Sequence, residues 1–112
     1  MTFEEYQKLA SSMAFYQEKI KPENRIFYAA LGLAGESGEV ADKIKKVLRD
    51  KNGIFDEETK DQIMKELGDV LWYISQFGIE LGMTLDKIAE KNLEKLKSRR
   101  ERGTLSGNGD NR

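Results

Sequence analysis

Apolar residues recur at steps of three and four along most of this chain, the spacing of one face of an α-helix. The first stripe is Phe3, Tyr6, Leu9, Met13, Tyr16 and Ile20. Thr2 and Glu5 open it with the spacing of a capping box, so a helix is predicted from about Thr2. Pro22 suits the first turn of a second helix. Its stripe is Ile26, Ala29, Leu33, Val40, Ile44 and Val47, and it stops near Asn52-Gly53. Asp56 can cap a third, with Ile63, Leu67, Val70, Ile74, Phe77 and Leu81 on one side. Gly82 closes that helix, and Thr84 caps a fourth that runs to about Arg102. No strand-type alternation persists. The pattern predicts an all-α fold, a four-helix bundle-like chain over residues 1–102. The last ten residues, GTLSGNGDNR, hold three glycines and little to bury. They read as a tail over 103–112, disordered or docked on a neighbour.

Composition narrows the chemistry. One domain is the default for 112 residues, and a core of that size is often completed by association with further copies. Charged residues make up 35 % of the chain, yet the net charge is −1, which argues against binding a nucleic acid polymer. There is no cysteine, hence no disulfide or thiolate chemistry. There is no histidine either, which removes the usual general base and the commonest transition-metal ligand. No apolar run reaches membrane-spanning length and no signal-peptide pattern opens the chain, so no membrane partner and a cytoplasmic location are expected.

One device occurs twice. ESGEV at 36–40 and ELGDV at 66–70 share the order acid-x-Gly-acid-Val, 30 residues apart. The correspondence continues, with Ile44 matching Ile74 and Val47 matching Phe77. Residues three apart on a helix lie about 60° apart around its axis. Glu36 and Glu39 therefore share the edge of one apolar stripe, and Glu66 and Asp69 the same edge of the other. If the stripes pack together, four carboxylates converge. Two like charges about 4 Å apart repel by about 4 kcal/mol at an effective dielectric of 20. Protonation or nearby lysines would offset this. A divalent cation does so best, and an all-oxygen ligand set suits Mg²⁺ or Mn²⁺ over zinc or copper. A single Glu-x-x-Glu is ordinarily a solvated surface pair; two at matching edges are a candidate metal site.

Glu36-x-x-Glu39, 26 intervening residues and Glu66-x-x-Asp69 resemble the signature of the MazG-like all-α nucleoside triphosphate pyrophosphohydrolases. The blocks LGLAGESGEVADKIKK and KELGDVLWYIS fit that family, and the resemblance covers roughly residues 3 to 102. It implies Mg²⁺-dependent hydrolysis of a nucleoside or deoxynucleoside triphosphate to the monophosphate and pyrophosphate. It also implies that Glu36, Glu39, Glu66 and Asp69 hold the metal and serve catalysis. The larger MazG proteins carry two such domains and this chain one. The family often places an asparagine and a basic residue of the last helix near the phosphates. NLEKLKSRR matches that, with Asn92, Lys95 and Arg99 on one face; a solvated basic helix end is the plainer reading. Tyr73, four residues after Asp69, is placed to touch sugar or base, or to join the core. Lys46, seven after Glu39, is a phosphate contact or a salt-bridge partner, while Trp72 is read as packing.

The second helix carries Gly32, Gly35 and Gly38, each costing about 1 kcal/mol against alanine in a helix interior. Gly38 and Gly68 fall on the side away from the acids, where a missing side chain lets another backbone approach. The third helix also has Met64, Leu71, Ser75 and Ile79 on that side. The expectation is a homodimer or homotetramer with the second and third helices central. Two other readings of the residues remain: a non-catalytic helical interaction module, and a carboxylate-bridged bundle of the di-iron type. The second is weakened by the missing Glu-x-x-His pairs.

Overall fold

A computed structural model describes all 112 residues. Five α-helices follow in order, α1 (Phe3–Ser12), α2 (Tyr16–Lys19), α3 (Arg25–Asp50), α4 (Glu57–Glu80) and α5 (Leu85–Glu101), with one 3₁₀ turn at Pro22–Asn24. Residues 51–56 join α3 and α4 into a long antiparallel hairpin, the main packing unit of the chain. No helix is long and apolar enough to cross a membrane.

The helix ends obey local chemistry. Thr2 and Glu5 form the reciprocal capping box at α1. Asp56 accepts from the Thr59 amide at the start of α4, and Thr84 accepts from the Lys87 amide at α5. α4 ends in a Schellman motif at Gly82, whose φ of 71° is the left-handed conformation glycine adopts freely. There the Met83 amide reaches the Gly78 carbonyl and the Gly82 amide the Ile79 carbonyl.

One predicted element is corrected. The single helix expected from Thr2 through Ile20 is broken at residues 13–15 into α1 and the four-residue α2. The break lets two different anchors reach α4. Gln7, on α1, donates to the Ser75 carbonyl at 3.2 Å and accepts from the Leu85 amide at 3.3 Å. Tyr16, on α2, is buried and donates to Glu80 at 2.6 Å. Its ring stacks on Tyr28 at 4.9 Å and meets Trp72 edge-on at 6.1 Å. Trp72 is packing, as expected, and its indole N–H donates to the Ala10 carbonyl at 3.2 Å.

The face of α4 behind the acids is also partly reassigned. Ser75, expected to face another subunit, is fully buried within the chain, and Ile79 is half-buried beside α1. Met64 and Gly68, nearer the hairpin loop, remain exposed. The tail folds back on its own α5: Arg99 is buried beneath it and donates to the carbonyls of Gly109 and Asp110.

The core is thin. Only 11 of 112 residues are buried, and Phe27, Leu31 and Leu48 are each more than 60 % exposed. The radius of gyration is 16.9 Å, against about 13 Å for a compact domain of this length.

Candidate metal centre

Helix α3 turns Ala29 and Val47, both buried, toward α4. Glu36 and Val40 lie within about 20° of that direction on the helix, so Glu36 stands where the two helices meet. Opposite it, Glu66 and Asp69 project from α4. Carboxylate oxygens of Glu36, Glu66 and Asp69 all come within 4.8 Å of one another. Glu39 does not join them. Three residues beyond Glu36, it is turned about 60° farther from α4 and is exposed. The repeat that looks symmetric in sequence is thus asymmetric in space: α4 contributes both acids, α3 the first of its pair.

The electrostatics are those of an under-compensated anionic cluster. Partial burial, then the charges of Asp69, Glu66 and Glu39, push the Glu36 carboxyl above its ordinary value. One cation reaches the cluster: the Lys43 ammonium lies 3.7 Å from Glu66 Oε1, with both side chains largely shielded. Lys46 is engaged elsewhere, 2.7 Å from Asp42, and with Lys45 holds that carboxyl down at about 2.

Tyrosines border the acids. Tyr73 lies 6.3 Å from Tyr28 and packs edge-on against Trp72 at 5.0 Å. Its hydroxyl is pushed up to about 12 by burial, by the neighbouring Tyr28 hydroxyl and by the charges of Glu36 and Asp69. Tyr6 of α1 is raised too, by burial and then by Asp69. The flat Tyr73 ring lies directly on Gly32, one turn before Glu36, where any side chain would overlap it. Of the three α3 glycines, this one has a contact within the chain; Gly35 and Gly38 face open space, as does Gly68 of α4.

The α5 residues do not enter the cluster. Lys95 pairs with Asp110 of the tail at 3.1 Å, and Arg99 is committed to Gly109 and Asp110. Asn92 is exposed beside a cavity of about 850 Å³ that Lys95 and Asp110 also line. Lys43, which touches Glu66, was not singled out by the sequence. It sits in a run with Lys45 and Lys46, and only its spacing of seven from Glu36 marks it as facing the acids.

As a donor set, three converging carboxylates with a single lysine fit a hard divalent ion, because such ions take charged oxygens and tolerate retained water. Comparison with known proteins agrees with this chemistry. A "Gene 37 protein" of Mycobacterium phage L5 is 48 % identical over 85 residues, 76 % of this chain and 75 % of that protein. No solved structure matches. The profile of the MazG nucleotide pyrophosphohydrolase domain matches residues 28–104, a span that contains α3 from Tyr28 onward, α4, all four acids and α5. The match covers more than half of the sequence and the whole candidate centre, and the chain belongs to the MazG nucleotide pyrophosphohydrolase family.

Proposed function

We propose that the chain hydrolyses nucleoside or deoxynucleoside triphosphates to the monophosphate and pyrophosphate with Mg²⁺, Mn²⁺ serving in its place, as a housekeeping activity on the nucleotide pool. The observation that carries this reading is the convergence of Glu36, Glu66 and Asp69 within 4.8 Å on two packed helices. A triphosphate brings about four negative charges, which such a site accepts only with metal between them. Glu36, Glu66 and Asp69 hold the metal, with Glu39 as a further oxygen donor one turn away. When bound, the metal offsets charge on the α-phosphoryl group and makes water a better nucleophile. Water oxygen bonds to the α-phosphorus, the α–β anhydride bond breaks, and pyrophosphate leaves with the electron pair. A carboxylate of the cluster takes the water proton, so no histidine is required. Tyr73 borders the position of the sugar or base. Asn92, Lys95 and Arg99 are proposed as further phosphate contacts, reached when the tail yields them.

A panel of NTPs and dNTPs assayed for pyrophosphate release tests the reading. Release with Mg²⁺ and its loss with chelator are expected. Absence of release from every triphosphate, with Mg²⁺ saturating, would refute it.

We also infer a homodimer or homotetramer. Phe27, Leu31, Ala34, Gly38, Ala41 and Leu48 repeat at steps of three, four and seven on the face of α3 turned away from α4. The three large members are 64 %, 74 % and 67 % exposed, and the small ones between them allow a close helix approach. A second copy covering this face supplies the core that the open chain lacks.

A further inference from the structure

Three kinds of side chain succeed one another along one side of the α3–α4 groove. Farthest from the hairpin loop are the rings of Tyr28 and Tyr73. The carboxylates of Glu36, Glu66 and Asp69 come next. Beyond them, between the last turns of α3 and the first of α4, is a hollow of about 110 Å³. Lys43, Lys46, Asp50, Lys51, Thr59 and Gln62 line it. Three lysines and one acid thus line it; Lys46 is paired with Asp42 at 2.7 Å and Asp50 with Arg49 at 2.8 Å, which leaves Lys43, at 3.7 Å from Glu66, the least tightly held of the three. The hollow is also braced: the Lys51 ammonium donates to Thr59 Oγ1 at 2.8 Å and pairs with Asp56 at 3.2 Å. Lys43 belongs to both regions, since it lines the hollow and lies 3.7 Å from Glu66.

We propose that this lysine-lined hollow receives the β- and γ-phosphates of the substrate and holds pyrophosphate after cleavage, with Lys43 and Lys51 as its binding cations. The inference rests on the pyrophosphohydrolase reading and gives the substrate a direction: nucleoside toward Tyr28 and Tyr73, leaving group toward the hairpin loop. The charge order supports it. The α-phosphoryl group belongs at the acids, where metal is held. The electron pair of the broken α–β bond departs on pyrophosphate, so positive charge is needed on the far side of the acids from the nucleoside. Lys43 and Lys51 put it there. The size supports it as well, because the hollow admits one or two phosphate groups and is too small for a nucleoside. Once Glu66 has another cation, Lys43 is released toward the hollow.

The test is a calorimetric titration of inorganic pyrophosphate, with Mg²⁺ present, into the unmodified protein and into Lys43→Met, Lys43→Arg and Lys51→Met. The same ligand is measured as a product inhibitor of hydrolysis. Methionine keeps the aliphatic stem, and circular dichroism confirms folding. Lys43→Met is expected to weaken pyrophosphate binding by about tenfold or more, the scale of a lost charge-assisted hydrogen bond, and to raise the inhibition constant equally. Lys43→Arg should restore most of it. Lys8→Met, at an exposed position on α1, should change neither. If Lys51→Met fails to fold through loss of its Thr59 and Asp56 contacts, the Lys43 pair decides alone. Unchanged pyrophosphate affinity in Lys43→Met overturns the inference even where hydrolysis is intact. Lys43-dependent pyrophosphate binding by a protein that cleaves no triphosphate instead overturns the pyrophosphohydrolase reading and leaves the anion-binding hollow standing.

Discussion

Gly32→Ala should destabilise this protein, although glycine-to-alanine changes inside helices ordinarily stabilise. The propensity gain is about 1 kcal/mol. Against it stands the Tyr73 ring, which occupies the position of the added methyl so closely that three of its ring atoms would have to move. Tyr73 is not free to do so, held by Trp72 at 5.0 Å and Tyr28 at 6.3 Å. Overpacking of this kind costs about 1–3 kcal/mol, and each disturbed aromatic pair about 0.5–1.5 kcal/mol more. The net expectation is a loss of about 1–5 kcal/mol, with a fall in Tm of about 4–8 °C for each kcal/mol in a domain this small. Gly35→Ala is the internal control. It lies three residues away in the same helix with nothing within 4 Å of an added methyl, so its Tm should rise by about 4 °C. Melting curves by circular dichroism, at one protein concentration, measure both. A second readout is metal. Pushing Tyr73 away separates α3 from α4 near Glu36 and Asp69, so the stabilisation by Mg²⁺ should shrink in Gly32→Ala and not in Gly35→Ala. The double variant Gly32→Ala/Tyr73→Leu should recover part of the loss. If Gly32→Ala melts above the unmodified protein, as Gly35→Ala should, the steric account is wrong.

Glu36→Gln is expected to abolish metal-dependent hydrolysis while stabilising the metal-free fold. The Glu36 carboxyl is raised above its ordinary value of 4.5 by burial and by three neighbouring acids, so its ionised form is what the fold disfavours. The sign follows: with chelator present the variant should melt above the unmodified protein at neutral pH, the gap closing as pH falls through the raised value and vanishing below 4.5. Equal melting temperatures at neutral pH would show that the cluster is not strained by its charges. For assembly, light scattering should give a dimer or tetramer at micromolar concentration, and Leu31→Glu, central on the exposed α3 face, should lower the mass or the stability. A monodisperse, active monomer of the unmodified protein would remove that inference.

The hairpin and its caps were legible because they rest on local rules. Asp56, Gly82 and Thr84 act within a turn of their own positions, and the stripes of α3 and α4 hold a 3.6-residue period over six turns or more. The break at residues 13–15 was not legible, because Leu9, Met13, Tyr16 and Ile20 continue the helical spacing straight through it. What bends the chain is distant: Tyr16 must reach Glu80, 64 residues away. The acids were legible as a repeat, since two matching pairs at the edges of two stripes define a common edge. That edge did not say which α3 acid faces α4, because spacing fixes angles within a helix and not the rotation of the helix against its neighbour. Lys43 was hidden for the same reason. Gly32 could be flagged as costly, yet its partner is an aromatic ring on another helix, which composition cannot name. The face of α4 around Ser75 was apolar as read, and what covers it there is α1.

The two helices that carry the acidic centre are joined by six residues, 51–56, at the end of a hairpin. Length changes therefore act very differently by position. An extra residue in that loop costs only a little chain entropy, since closure depends weakly on loop length, and leaves both helices in phase. One extra residue within α3 between Glu36 and the loop, or within α4 between the loop and Glu66, turns the carboxylates by about 100° relative to the packed face. Such an insertion would scatter Glu36 from Glu66 and Asp69 while sparing every side chain at the centre. Tolerance to indels is thus confined to the loop, and the phase of two helices, more than the identity of any one residue between them, is what selection has to protect.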